Sequence, residues 1–160
     1  MEEKEFKKYR YLGYWYPGVP EHWKPIVLNM LKEMDEYIKP KLVPRFIYNW
    51  VAWFARRGSV VNVSNNFWYK ISYYLNKGNF ITDIKDKYAT LRVYGYFDNS
   101  VDEIIEKAEK LCENTCERCG GTEEVKDIAI KGWVTNLCIN CRTELKPKKN
   151  DSNIGNSTSK

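Results

Sequence analysis

The chain has 160 residues, 43% of them hydrophobic and 15% aromatic, enough for one compact domain with a genuine core. Its net charge of +5 does not by itself mark a nucleic-acid binder, because residues 146–160 hold four lysines and one aspartate and so carry +3 of it. The remaining body, at about +2, is too mild to imply tight phosphate binding. There is no run of about 18 apolar residues and no basic–apolar–small start after Met-Glu-Glu-Lys-Glu. Neither a membrane span nor export is therefore expected, and a cytoplasmic protein with no membrane partner is the reading that follows.

Residues 1–20, rich in tyrosine, proline and glycine, read as an extended lead-in. From Glu21 to Ile38 the pattern is helical: Trp23, Ile26, Val27, Met30, Leu31, Met34 and Ile38 form one apolar stripe. Pro25 falls where an early-turn proline is tolerated and Pro40 stops the helix. His22, the chain's one histidine, stands beside Trp23 and reads as a packed or surface residue rather than a catalytic base. Beyond Pro44, the spacing of Phe46, Ile47, Trp50, Val51 and Phe54 predicts another helix, with Arg56 and Arg57 in its last turn and Gly58 just past its end. Ser59–Val63 reads as a short strand. Ser64 or Asn65 can cap a further helix through Phe67, Trp68, Ile71, Tyr74 and Leu75, ended by Gly78.

Phe80 to Phe97 reads as two strands around a turn near Asp86–Thr90. In the second, Leu91, Val93 and Phe97 alternate with Arg92, Tyr94 and Tyr96, and Gly95 marks a bulge. Ser100-Val101-Asp102-Glu103 has the form of a capping box, which opens a helix running to about Glu113. Val101, Ile104, Ile105, Ala108, Leu111 and Cys112 would share its core face, so Cys112 reads as a small core residue rather than a reactive thiol.

Cys116-x2-Cys119 and Cys138-x2-Cys141, eighteen residues apart, have the spacing of a four-thiolate zinc site. A reducing compartment favours zinc over disulfides, and Gly120 and Gly121 supply the backbone freedom of a metal knuckle. Four thiolates leave no open coordination position, so the one ion is expected to be structural. The polar, Lys- and Ser-rich stretch 146–160 reads as a disordered tail. The expected architecture is α+β: helices on a small antiparallel sheet in a body of residues 1–114, then a zinc ribbon or knuckle over 115–145 packed on it.

The text from Lys85 to Tyr94 (Lys-Asp-Lys-Tyr-Ala-Thr-Leu-Arg-Val-Tyr), the acidic helix after it, Thr115-Cys116-Glu117-Arg118-Cys119-Gly120, Gly132-Trp133 and Leu137-Cys138 together resemble a family of small phage proteins. That family carries a Lys-Glu-Lys-Phe-Gly-x-Leu-Arg-Phe-Tyr strand and a Thr-Cys-Glu-x-Cys-Gly knuckle. Ala89 replaces the usual glycine, and Cys141 stands where some members have histidine. The resemblance covers roughly residues 80–141. It implies a phage or prophage origin and raises the expectation of a role in blocking host components.

No Gly-x-Ser-x-Gly elbow, phosphate-cradling glycine loop or second metal cluster occurs. Asp83/Asp86 and Asp102/Glu103 read as turn and helix-start residues rather than acid–base pairs. What remains is a concentration of rings and cations: Lys85, Lys87, Arg92, Tyr94 and Tyr96 form the candidate ligand-binding set. Such a set suits stacking of bases with phosphate contact, a protein-interface anchor, or the rim of a second core layer. The sequence thus points to a non-enzymatic zinc protein that engages a host protein or sequesters a nucleotide-like ligand, with an anti-defence role in an infected cell. A nucleic-acid-binding accessory protein is the alternative.

Overall fold

The apolar stripe between Glu21 and Ile38 is the spine of the core. In the computed structural model, which describes residues 3–13, 17–38, 67–145 and positions 44, 46, 47, 50, 51, 53 and 54, a 3-10 turn at Glu21–Trp23 passes directly into helix α2, Lys24–Ile38. Trp23, Val27, Met30, Leu31, Met34 and Ile38 are buried, as 3.6-residue periodicity requires of one face. They meet Val101, Ile105, Ala108 and Cys112 of helix α4, Asn99–Glu113, and Ile81, Ile84 and Leu91 of strands β2, Phe80–Lys87, and β3, Thr90–Tyr96. Each large aliphatic side chain so buried contributes about 1.5–3 kcal/mol relative to exposure, which is why this stripe, rather than local propensity, sets the fold.

The first twenty residues are not an extended lead-in. They form a short helix α1, Glu3–Lys7, a 3-10 turn at Arg10–Leu12 and strand β1, Pro17–Gly18. Phe6, Tyr9, Tyr11 and Leu12 are buried in the main core. A five-residue helix cannot hold itself in water, so tertiary contacts impose it. The 3-10 turn is held by the side-chain amide of Asn76, which donates to the Tyr11 carbonyl at 2.9 Å inside the protein. Strand β1 pairs in parallel with β2, Pro17 opposite Ile84 and Gly18 opposite Lys85. The three-stranded sheet, in the order β1-β2-β3, is therefore mixed rather than purely antiparallel.

Strands β2 and β3 pair antiparallel from Phe80–Tyr96 to Lys87–Thr90. The bulge lies on β2, between Ile81 and Asp83, and not at Gly95 itself. Gly95 sits opposite it for a different reason: a Cβ there would stand 2.2 Å from the Phe80 carbonyl oxygen. The connecting turn is two residues, Tyr88 and Ala89, both with positive φ (55° and 59°), as a tight primed hairpin turn demands. Helix α3, Phe67–Leu75, forms as read. It closes with the Gly78 amide donating to the Tyr73 carbonyl at 2.8 Å and the Lys77 amide to that of Tyr74 at 3.2 Å. Positions 46, 47, 50, 51, 53 and 54 are helical. The Gly58 helix end, the Ser59–Val63 strand, the cap at Ser64 or Asn65 and the tail from Lys146 lie outside the described residues.

Helix α4 begins two residues earlier than the Ser100–Glu103 pattern suggested. Asp98 is the cap: its carboxylate accepts from the Val101 amide at 3.0 Å, the Asn79 side-chain amide at 3.0 Å and the Tyr37 hydroxyl at 3.1 Å. Burial would raise its pKa, but these donors outweigh burial and hold it below the ordinary carboxylate value. A depressed carboxylate contributes stability above its unfolded pKa and loses it as pH falls through the folded one. Asp98→Ala is expected to cost about 1–2 kcal/mol in denaturant unfolding, whereas Ser100→Ala should stay within about 0.5 kcal/mol. Equal losses would return the cap to Ser100. Leu111, expected in the core, is 48% exposed, since it lies about 80° around the helix from Val101.

After α4 come an antiparallel ribbon, β4, Lys126–Ile130, and β5, Trp133–Leu137, and helix α5, Ile139–Leu145. Leu137 and three cysteines make a second, smaller buried cluster. Among the described residues no helix is long and apolar enough to cross a membrane.

Candidate metal centre and binding face

The first knuckle is built where α4 runs out. The Thr115 hydroxyl donates to the Leu111 carbonyl at 2.7 Å, and Cys116 then exchanges backbone bonds with the loop: its amide reaches the Gly121 carbonyl and its carbonyl accepts from Gly120, both at 2.9 Å. Cys138 follows β5 and Cys141 lies in the first turn of α5. The four Sγ atoms all lie within 4.8 Å of one another, and those of Cys119 and Cys138 are 3.5 Å apart. A tetrahedral site with metal–sulfur bonds of about 2.3 Å spaces its sulfurs about 3.8 Å apart, so the constellation has the size to hold one metal ion. Gly121 fits the same reading. A Cβ there would sit 3.3 Å from Cys119 Sγ and 3.8 Å from Cys138 Sγ, whereas its bare amide approaches the Cys119 sulfur at 3.4 Å.

The electrostatics point the same way. Burial opposes ionisation of Cys116, yet the backbone amides of Cys138, Cys119 and Arg118 outweigh it and bring the thiol down to about 6. Cys141 is pushed up to about 12, first by its contact with Cys119 and then by burial. Four thiols this close cannot all be anions unless a cation sits among them, and a divalent ion supplies that charge. With all four sulfurs engaged, no position remains for substrate. Cys112 stays outside the cluster as expected: it is buried, and burial together with Glu109, Asp86 and Glu113 pushes its thiol up to about 12.

The metal centre is tied to the sheet and to α2. The buried indole nitrogen of Trp23 donates to the Thr115 carbonyl at 3.0 Å, one residue before Cys116. From the ribbon, the buried Asn136 side-chain amide donates to the carbonyl of Ala89 in the β2–β3 turn at 2.6 Å. Glu117 closes the circuit by accepting from the Asn136 amide at 2.7 Å and the Thr135 hydroxyl at 2.8 Å. Neither Asn136 nor Glu117 stood out in the sequence, because single polar residues between cysteines carry no periodic signal. His22 touches the knuckle: a Cβ on Gly120, whose φ is +75°, would meet its Nδ1 at 3.0 Å.

The five candidate ligand-binding residues share one sheet face. Lys85 pairs across the ladder with Arg92, and Tyr94 and Tyr96 follow on the same side, 40% and 55% exposed. Lys87 and Arg92 are exposed as well, and Lys85 is half-buried. The Lys85 ammonium lies 4.8 Å from the centre of the Tyr94 ring and that of Lys87 lies 5.6 Å from Tyr88, distances at which cation and ring attract. Tyr73 of α3 meets Tyr96 edge-on, with ring centres 6.3 Å apart. Sequence reasoning missed Tyr88 and Tyr73, and it read Asp83 as a turn residue, whereas Asp83 lies within strand β2. Asp83 pairs with Lys85 and raises its pKa, so one of the three cations is locally neutralised. Strand alternation places Asp83 beside Lys85 and could have found it. Asp86, by contrast, faces the other side of β2, opposite Leu91, where burial first and then Glu117 raise its carboxyl. The two aspartates therefore do not form an acid–base pair.

No family, curated protein or solved structure matches the chain.

Proposed function

We propose that the chain is a non-enzymatic binding protein, stabilised by one structural zinc ion, whose outer sheet face engages a protein partner. The observation that supports it is the shared, solvent-facing placement of Lys85, Lys87, Arg92, Tyr94 and Tyr96 on two paired strands. Tyrosine and arginine are the residue types that anchor protein interfaces. None of the five lines the cleft between the β2–β3 turn and the ribbon. Small-molecule sites are concave, so an open sheet face suits a macromolecule better than the nucleotide-like ligand that is the other occupant of this reading. Zinc is the ion that an all-thiolate, tetrahedral donor set favours. A donor set with no open position, and aspartates turned to opposite faces, support a protein without catalysis. The likeness to small phage proteins supports a host protein as the partner, with an anti-defence role in the infected cell's cytoplasm. A nucleic acid is the second reading, favoured by the +3 carried by residues 146–160.

Affinity capture with the zinc-loaded chain tests the reading. A protein partner is expected to be lost on Tyr94→Ala by at least about 2 kcal/mol, with weak salt dependence and with zinc content unchanged. A nucleic-acid partner would instead be shed steeply as salt rises, and deletion of residues 146–160 would weaken it. A partner held equally well by the Arg92→Ala/Tyr94→Ala double variant would remove this face from the function.

A further inference from the structure

Charge is distributed unevenly along the chain. From Tyr37 to Thr82 there is no Asp or Glu, whereas seven Lys or Arg and half of all the aromatic residues fall there. Within that stretch large rings face water. Phe46 is 70% exposed, Trp50 58% and Phe67 66%. Phe46, Trp50 and Trp53 stand at i, i+4 and i+7 on helical backbone, so they make one stripe. Ring contacts join the stripe to α3: Trp50 meets Trp68 edge-on at 6.2 Å, and Phe54 stacks on Trp68 at 4.9 Å. The result is an apolar face shared by two helical segments in a cationic, acid-free stretch, with Lys70 of α3 exposed.

Three occupants can be weighed by chemistry. A second copy of the chain would bring together two stretches that each carry seven cations and no acid, which like-charge repulsion disfavours. A single-stranded nucleic acid needs open ring faces on which bases can stack, but Phe54 and Trp68 already cover each other. A lipid surface needs neither. Its hydrocarbon boundary accepts indole and phenyl rings in any orientation, and anionic headgroups suit a stretch of sequence with seven cations and no acid. We propose that this face rests on a membrane surface bearing anionic lipid, with Phe46, Trp50 and Phe67 set into the boundary between headgroups and acyl chains. The expectation of no membrane partner came from the lack of a spanning run, and a helix lying in the interface needs none. The face shares no residue with the proposed protein-binding sheet face, so the two stand or fall separately.

Flotation of the full, metal-loaded chain with vesicles of phosphatidylcholine, alone or with phosphatidylglycerol, tests this. Anionic vesicles are expected to bind at least about tenfold more tightly than neutral ones, and added salt should narrow the gap. Phe46→Ser/Trp50→Ser should reduce binding by about tenfold or more, and Lys70→Glu should weaken it on anionic vesicles alone. All three side chains are exposed, and an unchanged metal content checks that the variants are folded. Brominated acyl chains should quench tryptophan emission in the parent chain, and Arg92→Ala should leave vesicle binding unaltered. Equal binding to both vesicle types, or undiminished binding by Phe46→Ser/Trp50→Ser, overturns the proposal. So does the absence of vesicle binding together with oligonucleotide binding that the double variant loses, which would assign the face to nucleic acid.

Discussion

Cys116→Ser is expected to abolish stoichiometric metal binding and to unfold residues 115–145 while leaving the α2–α4 core standing. Cys116 is the most deeply placed of the four clustered cysteines, and backbone amides from Arg118, Cys119 and Cys138 converge on its sulfur. A serine oxygen carries no charge at neutral pH, sits closer to its Cβ than sulfur does and is a weak zinc donor, so the whole constellation is affected. In small zinc modules metal binding and folding are one equilibrium, with about 10–16 kcal/mol of apparent binding free energy. Losing a central thiolate should remove several orders of magnitude in affinity. The ribbon cannot compensate, because its own buried cluster consists of Leu137 and three of the ligands. Metal analysis and amide exchange would read the result directly. One ion per chain, with β4 and β5 still protected in the variant, would mean that the four cysteines do not form the site. In the parent chain, the metal should be released as pH falls, since protons compete for the thiolates.

Trp23→Ala is expected to be the most damaging single change in the body, at about 3–5 kcal/mol, through the cavity left by a fully buried indole. The more informative variant is Trp23→Phe, which keeps most of the apolar volume but removes the donor to the Thr115 carbonyl. Leaving that buried acceptor unpaired should cost about 1–3 kcal/mol. The bond lies one residue from Cys116, so its loss should also loosen the junction between α4 and the knuckle. Metal transfer to a chelator is therefore expected to speed up in Trp23→Phe, whereas an equally destabilising change distant from the junction, such as Asp98→Ala, should leave it unaltered. Wild-type release from Trp23→Phe would show that the indole packs the core without supporting the metal centre.

The elements most legible in the sequence were those with repetition behind them. The stripe from Trp23 to Ile38 and the alternation from Leu91 to Tyr96 each repeat a spacing several times, and burial follows the repeat. The opening residues failed the same test because α1 spans barely more than one helical turn and the Arg10–Leu12 turn is shorter still, so neither repeats a spacing. The Ser100–Glu103 box was a true motif in the wrong place. Asp98 wins the cap because Asn79 and Tyr37, brought in from elsewhere in the chain, hold its carboxylate, and no local pattern could announce them.

For the candidate metal centre, the four cysteines and their spacing were complete in the sequence, since two pairs with two intervening residues are enough to bring their sulfurs together. The sequence also set the order of chemistry along the sheet, with Arg92, Tyr94 and Tyr96 on one side of β3 by simple alternation. Tertiary structure alone decided that Asn136 and Trp23 bind the ribbon and knuckle to the body, and that Pro17 and Gly18 add a parallel strand. Each is a contact between residues that are not neighbours on a repeating face, or far apart in the chain. The free energy that selects such contacts, burial of a shared core and satisfaction of buried polar groups, exists only once the chain has closed on itself.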